Sequence, residues 1–328
     1  MKLAISALLL LVAAFPGSLL AQSPTEPLKP RSYAVVPLDD LTLAAGTTYG
    51  IVLYDVPTEI PENHVLTPRA EGNIPLPDSV NHLAVHNGIL WAALGPHGVR
   101  GYRWQEGKLN PLASIETGGA SMRLLADGDL LWIGTGTMGV ESWNIKDPAH
   151  PKHELTLDTA GYARTIFLRG GPEDKHRRLW VADGRGGLVR YSVSGHRARS
   201  LGRSSLPGDV RWVGPFGKEM LVSLGEGGLC HMVPNASGGR APKAGFCIEN
   251  EDVVRDVATL NHWVFAADSS DGVMVIDWTN ATQPNLMDRI DVEFSANALV
   301  IHNDRLYVAA DAGGIRVFSL QSWLGNRQ

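Results

Sequence analysis

Five residues of this chain share one position relative to a recurring glycine, and together they could do chemistry. Asn81, Arg211, Arg255 and Asn297 each stand 17 residues before a glycine, at Gly98, Gly228, Gly272 and Gly314 respectively. Tyr33 and Met122 hold the same place before Gly50 and Gly139. Ahead of Gly187 an insertion, residues 170–177, stretches the count, and by pattern the equivalent residue is Arg164 in Ala163-Arg-Thr-Ile. Guanidinium groups are forked, permanently charged donors that suit a carboxylate or a phosphate. If three of them converge in a narrow, low-dielectric opening, they focus a positive field there despite a net charge of −5. The chemistry on offer is anion binding, with Arg123 one residue from the same ring.

The elements that must position these residues are short strands. Gly50, Gly98, Gly139, Gly187, Gly228, Gly272 and Gly314 are spaced by 48, 41, 48, 41, 44 and 42 residues. Each follows one short apolar run and precedes another, as in Trp263–Ala267 and Val273–Asp277 or in Leu306–Ala310 and Ile315–Ser319. β-branched and aromatic residues alternate with small or polar ones inside the runs, and Gly, Asn and Asp bound them. A period of about 40–45 residues with four strands per repeat marks a propeller blade. The expected fold is all-β: a seven-bladed β-propeller of four-stranded antiparallel blades in a single domain, residues 33–328. The fourth residue after each glycine is large (Tyr54, Tyr102, Trp143, Tyr191, Met232, Ile276, Phe318), which suits packing between neighbouring blades. The glycine itself is expected to supply a positive φ between the second and third strands. The last repeat shows only three strands, so its open edge needs a cover. The Pro-rich leader, residues 22–32, is a possible closing strand, and the C-terminal tail is the alternative.

Three segments carry a resemblance. Leu179-Trp-Val-Ala-Asp-Gly-Arg-Gly-Gly-Leu188, Val273-Met-Val-Ile-Asp277 and Asp147-Pro-Ala-His-Pro151 show an apolar strand ending in an acid, a Gly-Gly turn and a proline exit. The pattern, from Tyr33 to about Ser319, resembles the LVIVD-repeat family of secreted bacterial β-propellers. That resemblance implies the fold and an exported setting. It implies no catalytic residues, because the family is defined by its repeat.

Each arginine has a prospective structural partner to set against the anion reading. Asp183 and Asp268 lie four residues before their glycines and are expected to meet Arg164 and Arg255. The fifth repeat has Leu224-Gly-Glu-Gly-Gly228 instead, with Glu226 nearer the tip, so Arg211 is expected to lack a partner and to be the best functional candidate. Trp212 should point to the other side of its strand. Other chemistry is thinly supported. There is no Gly-x-Ser-x-Gly nucleophile motif, and the Gly-rich turns lead into strands rather than helices, so no cofactor is expected. His150 and His153 flank a proline exit and read as loop residues, and no metal site is expected. Asn235-Ala-Ser and Asn280-Ala-Thr fit the glycosylation sequon, which matters only in a eukaryotic host.

The chain opens with Lys2, an apolar stretch and small residues up to Ala21, which reads as a signal peptide over residues 1–21. Cleavage is expected after Ala21 or Ser23, and no later stretch is long enough to span a membrane. An exported protein meets an oxidising compartment, so Cys230 and Cys247, the only cysteines, are expected to form a disulfide between adjacent antiparallel strands. The mild acidity argues against a nucleic-acid partner. The charged insertion at residues 170–178 could offer a second contact surface on the opposite face. The first reading of function is a monomeric, periplasmic or extracellular, non-catalytic scaffold that binds a protein partner or a small anionic ligand at the Arg/Asn-lined mouth. The alternative is a lactonase-like propeller hydrolase or lyase, with Asn81, Asn297 and Asp256 around a metal ion, although three nearby arginines would repel a cation.

Overall fold

A computed structural model describes residues 30–324, apart from 62, 171–173, 175–176, 234–241 and 250–251. The expected signal peptide, residues 22–29 of the leader, most of the charged insertion and the Asn235 sequon lie outside the described residues. The described chain forms seven four-stranded antiparallel sheets, each one blade of a β-propeller. The inner strands are Ser32–Pro37, His82–His86, Arg123–Asp127, Thr165–Arg169, Trp212–Phe216, Asp256–Leu260 and Ala298–His302. In blades two to six, strands two, three and four follow in sequence and pair outward from the inner strand.

The glycine period has a steric cause. Gly98 has φ +69°, and a Cβ there would lie 2.1 Å from the Ile115 carbonyl oxygen on the outer strand. Gly228, at φ +80°, would place a Cβ 2.0 Å from the Ile248 carbonyl. Left-handed backbone and a close main-chain approach coincide, so only glycine fits. Three or four residues later, in blades two to six, the pairing of third and outer strands slips by one residue, as between Gly101 and Tyr102 or Val275 and Ile276. The large fourth residue therefore sits at a bulge, where extra local twist re-aims a side chain.

The core lies between blades rather than within them. Each apolar cluster joins two neighbours: Trp263 and Phe265 of blade six pack with Leu299, Val308 and Phe318 of blade seven, and Leu53 of blade one with Leu83 and Tyr102 of blade two. Tyr54, Tyr191, Met232 and Ile276 each enter the cluster shared with the preceding blade, as the sequence predicts. Cys230 and Cys247 face each other in register on adjacent strands of blade five and form a disulfide.

The ring closes differently from expectation. The third strand of blade one, Gly50–Asp55, runs out to the neighbouring blade, and His64–Val65 pairs with Arg316 and Val317 as the outer strand of blade seven. The chain then returns: the Arg69 N–H donates to the Leu53 carbonyl (2.8 Å), and Ile74–Pro75 becomes the outer strand of blade one. The outer place of blade seven thus belongs to an internal excursion and not to the Pro-rich leader. The tail segment Gln321–Leu324 is a helical turn. The excursion needs extra chain, which is why Gly50 and Gly98 are 48 residues apart.

Candidate functional site

Six of the seven ring residues are brought together by one repeated hydrogen bond. The main-chain N–H of Asn81, Met122, Arg164, Arg211, Arg255 and Asn297 donates to the last residue of the second strand, at Ala93, Gly134, Ala182, Ser223, Ala267 and Ala309, over 2.8–2.9 Å. Each of these six residues therefore stands at the same height, immediately before its inner strand, whereas Tyr33 lies within the strand Ser32–Pro37. Together with Tyr33 they line one cavity of about 220 Å³ at the channel mouth, joined by Arg123, Thr165 and Ala298.

The partners of the arginines differ from expectation. Arg211 Nη2 lies 2.9 Å from Asp209 Oδ2, so Arg211 has a carboxylate after all. Arg164 Nη2 shares the same oxygen at 3.7 Å, and its guanidinium stacks on the Tyr162 ring, 4.9 Å from the centroid. Asp183 does not meet Arg164: it accepts the Gly161 N–H at 2.8 Å, and burial pushes its carboxyl above the ordinary carboxylate range. Asp268 does not meet Arg255 either, because Arg289 on the outer strand reaches it at 2.5 Å. Arg255 Nε instead donates to Ser269 Oγ at 3.1 Å. Its charge also acts on Asp252; burial there opposes ionisation, but hydrogen bonds from Ser270 and the Val253 N–H, with Arg255, hold that carboxyl below its ordinary range. The physical reason is reach. Turn aspartates face back into their own loop and sheet, while Arg211 and Arg255 turn to groups of their own blades and Arg164 reaches over to Asp209 in the next entry loop.

The two asparagines are held by main chain. Asn81 Nδ2 donates to the Ser121 carbonyl (3.1 Å), and Asn297 Nδ2 to the Ser32 carbonyl (2.9 Å). Asp256, the third ligand of the metal reading, is committed elsewhere. Its Oδ1 accepts from Arg123 (3.0 Å) and Trp212 Nε1 (2.9 Å), and its Oδ2 from the Leu299 N–H (3.1 Å). Those donors belong to blades three, five and seven, so one carboxylate on blade six ties four blades together across the channel. Among the described residues no group of three or more His, Cys, Asp or Glu side chains converges to hold a metal ion.

His82 sits at the same level as Arg123, one residue past the ring. Its Nδ1 accepts the Leu124 N–H at 3.3 Å. Burial and the Arg123 charge hold its pKa well below the ordinary histidine value, so the ring is neutral.

Sequence reasoning placed every ring residue but missed Asp209 and Tyr162. The signal was available: both stand two residues before a ring arginine, so the same ruler displaced by two finds them. Arg123 and Asp256 were each legible as charges one residue past the ring, in blades three and six, but their pairing across the channel was not.

A seven-bladed propeller with a charged mouth is the class these features define. The fold is similar to the WD40 β-propeller domain of Doa1 (TM-score 0.69, 12% identity, 90% of this chain and 94% of that one). It is also similar to U3-55K (TM-score 0.67, 15% identity, 89% and 96%) and to Sqt1 of Saccharomyces cerevisiae (TM-score 0.64, 12% identity, 85% and 80%). At such identities the likeness extends to the fold alone. No protein-family model matches the chain, and no curated protein matches it in sequence.

Proposed function

We propose that this protein is an exported, LVIVD-type propeller that acts as a non-catalytic binding scaffold and meets its partner or small anionic ligand at the channel mouth. The observation that carries the reading is the mouth itself: Arg123, Arg164, Arg211 and Arg255 line one small cavity on a chain whose net charge is −5. A positive patch on a mildly acidic molecule steers an anionic group to that face. The same face exposes apolar side chains on the turns and loops around it, Tyr49, Met138 and Phe294. Arginine, tyrosine, methionine and phenylalanine are the residue types enriched at protein-contact surfaces. Export is supported by the Cys230–Cys247 disulfide and by the leader pattern of residues 1–21. Among the described residues no helix is long and apolar enough to cross a membrane.

The test is site-specific photo-crosslinking in the native exporting cell. A crosslinker at Met138, on the mouth face, should form one discrete adduct, and Arg211→Ala should abolish it. A crosslinker at Met287, equally exposed on the outer strand of blade six, is the control. Equal adducts at both positions, or an adduct indifferent to Arg211, would sink the reading.

A further inference from the structure

The mouth has a local charge imbalance, and this inference, which rests on the reading of the mouth as the contact site, names the group that corrects it. Four guanidinium groups line the cavity, and three carboxylates answer them: Asp256 with Arg123, Asp252 beside Arg255, and Asp209 shared by Arg164 and Arg211. At the Arg164–Arg211 pair two positive charges face the single negative charge of Asp209. A second observation points the same way. The Arg164 side chain makes no hydrogen bond to any described residue, because 3.7 Å to Asp209 is an ion-pair distance and too long for one. Its guanidinium carbon lies over the Tyr162 ring, 4.9 Å from the centroid, and its Nε is buried without an acceptor. Arg211 Nε likewise has none. Donors left unsatisfied near a protein interior cost free energy that an incoming acceptor recovers.

We propose that the mouth binds a single carboxylate, seated between Arg164 and Arg211 beside Asp209. A monoanion brings the cluster to neutrality, whereas a phosphate dianion would leave an excess negative charge next to Asp209. In a partly enclosed site that difference is felt more strongly than in water. The planar carboxylate also matches the forked edge of a guanidinium. Met122 and Tyr33 line the same cavity and offer apolar contact to the hydrocarbon part of the acid.

The experiment is a titration of protein labelled with ¹⁵N-arginine, following the Nε–H signals of Arg164 and Arg211. Propionate and inorganic phosphate are the probes, at fixed ionic strength and about pH 8, where phosphate is a dianion. Propionate should shift both signals saturably, with an affinity about fivefold or more above that of phosphate, and Arg211→Ala should weaken it about tenfold or more. Asp209→Asn adds one unit of positive charge and should turn the preference towards phosphate. An acetylated, amidated Ala-Glu-Ala peptide separates the sources: a gain of about tenfold over propionate assigns the carboxylate to a polypeptide side chain, and no gain assigns it to a free acid, both keeping the carboxylate. Phosphate binding as tightly as propionate to the unmodified protein would overturn the carboxylate while leaving an anion site in place. Propionate shifts that survive in Arg211→Ala would place the carboxylate elsewhere and overturn it too. If neither anion moves the signals while the Met138 adduct persists, the carboxylate is lost and the mouth still stands as a contact face.

Discussion

Two layers of charge cross the same channel one residue apart, and they are built to opposite rules. In the lower layer Asp256 is 5% exposed and receives three hydrogen bonds from three blades, while Arg123 is spent on it. In the upper layer Arg164 and Arg211 divide one oxygen of Asp209, and their side chains are 32% and 35% exposed. The lower layer satisfies its carboxylate and ties blades together. The upper layer leaves donors and charge in hand. Charged residues at a channel therefore do not by themselves mark a site; the count of partners does.

The contrast can be broken at three points. The largest effect is expected from Asp256→Ala, which leaves Arg123 uncompensated and strips Trp212 Nε1 and the Leu299 N–H of their acceptor. It should cost about 3 kcal/mol or more of stability, read as a lower midpoint in denaturant unfolding. A loss below about 1 kcal/mol would mean that the lower layer does not hold the blades.

An intermediate effect follows from His82. Its folded pKa lies below the unfolded value, so protons bind the unfolded chain more readily. The stability it contributes is complete above the unfolded pKa of about 6.5 and is lost as pH falls below that value, at up to about 1.4 kcal/mol per pH unit. His82→Gln should flatten the fall in melting temperature between about pH 6.5 and pH 5. An unchanged profile would place the acid sensitivity elsewhere.

The smallest effect is expected from Arg211→Ala. A half-exposed pair contributes little, so stability should change by less than about 1 kcal/mol, even as carboxylate binding is lost. A drop as large as that of Asp256→Ala would erase the distinction between the layers.

Much of the architecture was legible because the repeat is local. A glycine with positive φ recurs wherever a blade turns, in six of the seven blades against an outer-strand carbonyl, so counting from it located the ring, the strands and the interblade aromatic residues. The disulfide was legible for the same reason, since Cys230 and Cys247 fall on successive strands. Partner choice was not. Asp183 and Asp268 have the right spacing to meet Arg164 and Arg255, yet Gly161 and Arg289 take them, because both carboxylates face back into their own loop and sheet. Closure was hidden too: His64–Val65 is too short to carry a strand pattern, and its partner strand lies about 250 residues away in sequence.

The sequence by itself determined the number of blades, the height of the ring and the residue types at the mouth, because each follows from a short-range pattern that the backbone must obey. Only the tertiary structure decided which charges neutralise one another and which segment seals the ring. Both depend on residues from blades far apart in the chain, such as Arg123 and Asp256, meeting at distances of about 3 Å. No local rule carries information at that range. The hydrogen bond weakens steeply with distance and angle, and a charge pair gains most when it closes to contact away from bulk water, so the pairing turns on those last few ångströms.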